Sequence, residues 1–127
     1  MADKSQPDVA KVFWEGDSRE VLRSFPRQVM RDLGEDLYRV QIGELPLDSC
    51  PMRSIGHGVF ELRQRDSNGW YRLIYLKKIA GRVYVLHSFV KRSAKTSPKD
   101  LNVATQRLKN VQARLAEEKK DAKDRKK

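Results

Sequence analysis

Apolar residues recur along this chain with two spacings, one helical and one alternating, and the change from one to the other divides it in two. Residues 9–14 (VAKVFW) form a short apolar segment that predicts an opening or edge strand. Asp17 or Ser18 then offers an N-cap, and Val21, Leu22 and Phe25 fall on one face of a short helix. Pro26 ends that helix and suits the first turn of another, in which Val29, Met30, Leu33, Leu37, Val40 and Gln41 keep helical spacing up to a stop at Gly43. The two helices are expected to form an αα-hairpin. Residues 44–55 (ELPLDSCPMRSI), with two prolines, read as a loop leading toward a short strand, and Gly56-His57-Gly58 is a flexible entry to the next element.

From residue 59 the spacing becomes alternating. In VFELRQR, Phe60 and Leu62 point to one face, and Glu61, Arg63 and Arg65 to the other. Asp66-Ser67-Asn68-Gly69 is a strong turn. Residues 71–77 (YRLIYLK) are apolar on both faces, which predicts a central strand; Ala80-Gly81 turns the chain into a third strand over residues 82–90. If the turn pairs Arg65 with Trp70, then Leu62 faces Leu73, Phe60 faces Tyr75, and Arg63 stands across from Arg72. Two like charges at such a position cost about 0.2–1 kcal/mol unless an anion or carboxylate sits between them. After Pro98, the residues Leu101, Ala104, Leu108, Val111, Gln112 and Leu115 return to helical spacing. The expected class is α+β: a small antiparallel sheet with an N-terminal helical hairpin and a C-terminal helix. The expected organisation is a flexible stretch 1–8, one folded domain 9–115, and a charged tail 116–127 that frays or stays disordered.

Composition narrows the possible functions. With 127 residues the chain has room for one modest core. No apolar run approaches the ~18–20 residues that span a bilayer, and the first residues lack the apolar centre of a secretory signal, so a cytoplasmic protein is expected. Cys50 is the only cysteine, and no His or second Cys stands at metal-ligand spacing, so neither a metal nor another cofactor is expected. The formal charge of +10 is unevenly placed. Between Asp66 and Asp100 there is no acidic residue, yet Arg72, Lys77, Lys78, Arg82, Lys91, Arg92, Lys95 and Lys99 fall there. A patch of this kind suits a polyanion, most often nucleic acid, and can also serve an acidic protein partner.

A Gly-rich lead into "ELR", then "YR" opening the next strand, then "LHSFVKRSAKTSP" before a helix with "A..R" resembles the RelE/HigB superfamily of type II toxins, especially its phage-derived-protein branch. The resemblance runs over about residues 9–115. It implies the same α+β fold, a cognate helix-turn-helix antitoxin as partner, and ribosome-dependent cleavage of mRNA without a metal. In that reaction the 2′-hydroxyl attacks the adjacent phosphate, and a proton must leave the 2′-oxygen while another reaches the 5′-oxygen. Arg72, Arg92 and Arg63 are the candidates for stabilising the phosphorane, since a guanidinium grips two phosphate oxygens at once. Lys91 and Lys95 can hold phosphate or protonate the leaving group. Glu61 is either the base or a counter-ion for the arginines.

Lys77, Lys78 and Trp70 complete the candidate RNA-binding set. Trp70 either stacks on a base or covers the sheet edge. His87 reads as a satisfied core histidine, and His57 as an acid–base group or a loop residue. The acid–base residues of RelE itself do not carry over, because Val59, Glu61 and Pro98 occupy the matching stretches. ParE relatives, which share the fold and inhibit DNA gyrase by binding, are the alternative.

Overall fold

A computed structural model describes residues 8–79, 81–92 and 95–125, except for the side chain of Lys78. Most of the expected flexible N-terminus, Ala80 of the predicted turn, Ser93 and Ala94 of the basic turn, and the last two residues of the tail lie outside that set. The elements run β1 (Lys11–Trp14), α1 (Ser18–Arg23), α2 (Arg27–Gln41), β2 (Ser49–Pro51), β3 (Val59–Asp66), β4 (Gly69–Ile79), β5 (Arg82–Lys91) and α3 (Pro98–Arg125). The five strands form one sheet in the order β1-β5-β4-β3-β2, which makes β4 central, as its two apolar faces require. All pairs are antiparallel except β1 with β5.

Alternation sends the two sides of the sheet to different cores. On one side Leu62, Leu73, Tyr75, Val83 and Val85 meet Leu22, Val29, Leu33 and Leu37 of α1 and α2. On the other, Val59, Ile74, Leu76, Tyr84 and Leu86 meet Ala104, Leu108 and Val111 of α3. Full burial of a leucine such as Leu33, Leu62 or Leu73 contributes about 1.5–3 kcal/mol each. Among the described residues no helix is long and apolar enough to cross a membrane.

The hairpin reading is loose. The helix α1 lies chiefly on β5 and α2 chiefly on β3 and β4, so each docks on the sheet more than on the other. Two further boundaries differ from expectation. Residues 49–51, expected within a loop, pair with β3 as an edge strand, a place that tolerates Pro51 because no further strand needs its N–H. The helix α3 continues to Arg125, where a fraying tail was expected after Leu115. Arg82 holds this extension through a bidentate pair with Glu118, at 2.8 and 2.9 Å.

The predicted β3–β4 register is the observed one: Arg65 pairs with Trp70, Arg63 with Arg72, Leu62 with Leu73 and Phe60 with Tyr75. Asp66 Oδ1 accepts the backbone N–H groups of Asn68 and Gly69, which closes the turn locally. Between β4 and β5 the register slips once in mid-strand. Ile74 pairs with His87 but Tyr75 pairs with Val85, so Leu86 is an extra residue, a β-bulge.

Candidate nucleic-acid interface

The bulge at Leu86 decides which side chains share a face. Simple alternation would leave residues 87, 89 and 91 on the same side as Val85, under α1 and α2. Instead, Phe89 stands beside Arg72 and Lys91 beside Trp70. The α3 side of the sheet therefore carries three rows across its strands: Lys91, Trp70 and Arg65; Phe89, Arg72 and Arg63; His87, Ile74, Glu61 and Cys50. The apolar contacts of α3 reach Ile74 and Phe89, and beyond them the face is basic.

Arg72 and Glu61 form the buried centre of this face, with side chains only 5% and 2% exposed. Glu61 Oε1 lies 3.2 Å from Arg72 Nε and 3.2 Å from Arg63 Nε. The carboxylate thus stands between the two arginines whose register brings them together, the arrangement that relieves their repulsion. Only the Arg63 contact is aligned as a hydrogen bond. Among the described residues, Arg72 Nε and Nη1 and Glu61 Oε2 are buried without a hydrogen-bond partner. Burial pulls the Arg72 pKa below the ordinary arginine value, Glu61 opposes that shift, and Arg63 adds to it. Trp70, 45% exposed, lies under two guanidinium groups: Arg65 Cζ is 4.7 Å and Arg72 Cζ 5.3 Å from its ring centroid.

Beside these rows lies a surface pocket of about 440 Å³ lined by Phe89, Val90, Lys91, Arg92, Lys95, Ser97, Lys99 and Asp100. Its wall is the start of α3. Ser97 Oγ accepts the Asp100 backbone N–H at 3.2 Å and donates to Asp100 Oδ2 at 2.6 Å, while Pro98 takes the first helical position. Asp100 Oδ1 lies 2.7 Å from His87 Nε2, and Arg107 Nη1 lies 3.0 Å from the Leu86 carbonyl oxygen and 3.4 Å from His87 Nδ1. A guanidinium only donates, so the neutral Nε2–H tautomer of His87 satisfies both of its contacts. His87 is therefore a buried clamp between the bulge and α3, as a core histidine should be.

The structure thus brings Arg63, Arg72, Glu61 and Trp70 together, with Lys91 in the adjoining strand position and Arg92 and Lys95 lining the pocket beside it. Lys77 is not among them. It lies five residues along β4 from Arg72, roughly 16 Å away at strand rise, in a separate pocket of about 410 Å³ with Arg53 and His57. The side chain of Lys78 lies outside the described residues. Sequence reasoning left Arg65 out of the candidate set although alternation already put it on this face. It had no means of adding Phe89, whose side depends on the bulge, or Arg107, whose partners are distant in the chain.

A family model described as Phage derived protein Gp49-like (DUF891) matches residues 20–109. The Escherichia coli toxin RelE, solved in the free state as a double arginine-to-alanine mutant, aligns with a TM-score of 0.58 and 19% identity, covering 78% of this chain and 97% of that one. The RelBE2 toxin–antitoxin complex of Mycobacterium tuberculosis aligns with a TM-score of 0.48 and 20% identity, over 69% of this chain and 98% of that one. The likeness to E. coli RelE is one of fold. No curated protein sequence matches the chain significantly.

Proposed function

The chain belongs to the Gp49-like family of phage-derived proteins and has a RelE-type fold, and from that premise we propose that it is the toxin of a type II toxin–antitoxin pair, an endoribonuclease that cuts mRNA on the ribosome. The observation that carries this reading is Arg72: a buried guanidinium, ion-paired to Glu61 at Nε, whose Nη1 meets no acceptor among the described residues, set in a face rich in cations. An unmet buried donor costs about 1–3 kcal/mol, a cost that a phosphate oxygen would offset on binding.

The reaction forms the P–O2′ bond and breaks the P–O5′ bond, giving a 2′,3′-cyclic phosphate and a free 5′-hydroxyl. Arg72, with Arg63 across the strand pair, receives the charge that develops on the phosphorane. Lys91, Arg92 and Lys95 hold the neighbouring phosphate, and Lys91 is the proposed donor of the proton that the 5′-oxygen takes up. Trp70, already lying against two guanidinium groups, offers a π-face to an unstacked base. A helix-turn-helix antitoxin is the proposed partner, and the cytoplasm, where mRNA meets ribosomes, the proposed site of action.

Induced expression with mapping of RNA 5′ ends tests this reading. Growth should stop and transcripts should be cut within translated codons, and Arg72→Lys should reduce cleavage by about 10²–10³-fold while the protein stays folded. A folded wild-type protein that arrests growth while transcripts stay whole and DNA supercoiling changes would replace this reading with gyrase inhibition.

A further inference from the structure

Taking RNA cleavage as the reaction of this site, we propose that Glu61 is the positioning residue of the Arg63–Arg72 pair and not the general base. A base must bring an oxygen to within about 2.6–3.2 Å of the 2′-hydroxyl, directly or through one water. Neither oxygen of Glu61 is placed to do so. Its Oε1 lies 3.2 Å from the Nε atoms of both arginines. Its Oε2 is sealed from solvent. Cys50, opposite Glu61 in the register, flanks it on the β2 side, and β4 flanks it on the other.

The same geometry does serve positioning. A carboxylate at the Nε atom holds a guanidinium by its inner edge and leaves terminal nitrogens for a second acceptor; Arg72 Nη1 has no acceptor among the described residues but is as buried as Glu61 Oε2, so a phosphate meets the pair first at Arg63. Arg63 differs from Arg72 in access: its side chain is 47% exposed. One carboxylate thus ties an outer guanidinium to an inner one. Two arginines and one carboxylate leave a net charge of +1, enough to attract a phosphate, while the repulsion across the strand pair is relieved. The proton from the 2′-oxygen must then go to another group or to water.

Glu61→Gln and Glu61→Asp separate the two roles. The first keeps size and removes charge; the second keeps charge and withdraws it by one methylene, so it carries the comparison if the first fails to fold. The measurements are affinity for a single-stranded RNA with a 2′-deoxy nucleotide at the cut site, the pH–rate profile on cleavable RNA, and the NMR resonance of Arg72 Nε–Hε in the free protein. Positioning predicts that both variants weaken RNA binding roughly 10- to 100-fold, the loss of well-placed charged hydrogen bonds. The ascending limb of the pH profile should stay in place, and the Arg72 Nε–Hε resonance should be broader in both variants than in the wild type.

Unchanged affinity and an unchanged Arg72 resonance, with cleavage down about 10²–10⁴-fold and the ascending limb lost, would make Glu61 the base and overturn the proposal. If the wild-type protein binds RNA but never cuts it, the nuclease reading falls while affinity and resonance still judge Glu61. If it binds no RNA at all, the resonance alone decides, and an unaltered signal in both variants rejects the positioning role.

Discussion

Arg72 spends a buried position on a charge, and the side chains around it determine what that costs. Removing one partner of a buried pair leaves the other unpaired, so Arg72→Ala should destabilise the fold by about 3–5 kcal/mol. Replacing Glu61 and Arg72 together with Met should come out much closer to neutral, and urea denaturation of the single and double variants checks both. Gly16 is sensitive for another reason. Its φ of 53° lies in the left-handed region, and an added Cβ would meet the guanidinium of Arg107. Gly16→Ala should therefore cost about 1–2 kcal/mol in backbone strain alone, read by the same denaturation.

Beside it, the hydrogen bond from Arg107 holds the Asp17 carboxyl below its usual value of 3.8, against the opposing effect of burial. A depressed carboxyl stabilises the fold above its unfolded pKa and loses that contribution as pH falls through the folded value. The Asp17 side chain is 55% exposed, so solvent screening limits Asp17→Asn to about 1 kcal/mol or less at pH 7. The difference from wild type should begin to shrink below pH 3.8 and vanish only once the pH has fallen past the lower folded value of the carboxyl.

Among the elements, those governed by local chemistry were legible in advance. The Asp66–Gly69 turn and the alternation on either side of it are enough to place Arg63 opposite Arg72 with Glu61 on the same face. Pro98 starts α3 because Ser97 Oγ, held by the Asp100 carboxylate, accepts the Asp100 backbone N–H, and Ser97→Ala should cost about 1 kcal/mol by thermal unfolding. The far end of α3 was misread because its charged residues resemble a solvated tail whether helical or not. Its buried contacts end at Val111 and the partly buried Leu115. Truncation after Leu115 gives up the half-exposed Arg82–Glu118 pair and should lower stability by no more than about 1 kcal/mol, with helical circular dichroism reduced. The β2 strand was missed because three residues with a proline carry too little pattern to distinguish a strand from a loop.

For the whole molecule, charge and cover are the matching terms. The apolar sides of α1, α2 and α3 occupy most of the sheet, and the part they leave holds Arg63, Arg65, Trp70 and Lys91. If Arg63, Arg65, Lys91 and Arg92 each neutralise one phosphate of a single strand, log K should fall against log salt with a slope of about −2.8. That amounts to roughly a 50-fold loss of affinity between 50 and 200 mM salt, and Arg65→Ala should make the slope shallower by about 0.7. Filter binding at several salt concentrations measures both.

Local pattern was sufficient for the helices and for every strand but β2, for the β3–β4 register, the start of α3 and the run of chain without acidic residues, because each depends on neighbours within a few positions. Folding in three dimensions was needed for the rest. The bulge at Leu86 exists only through pairing with β4, and it turns Phe89 and Lys91 toward Arg72 and Trp70. Strand rise carries Lys77 away from that group although it belongs to the same basic run. Burial of Glu61 between Cys50 and Ile74 is likewise a product of three strands meeting. Alternation tells which residues share a side within one strand; hydrogen bonds between strands and the helices laid over them determine which of those sides meet, and which are covered.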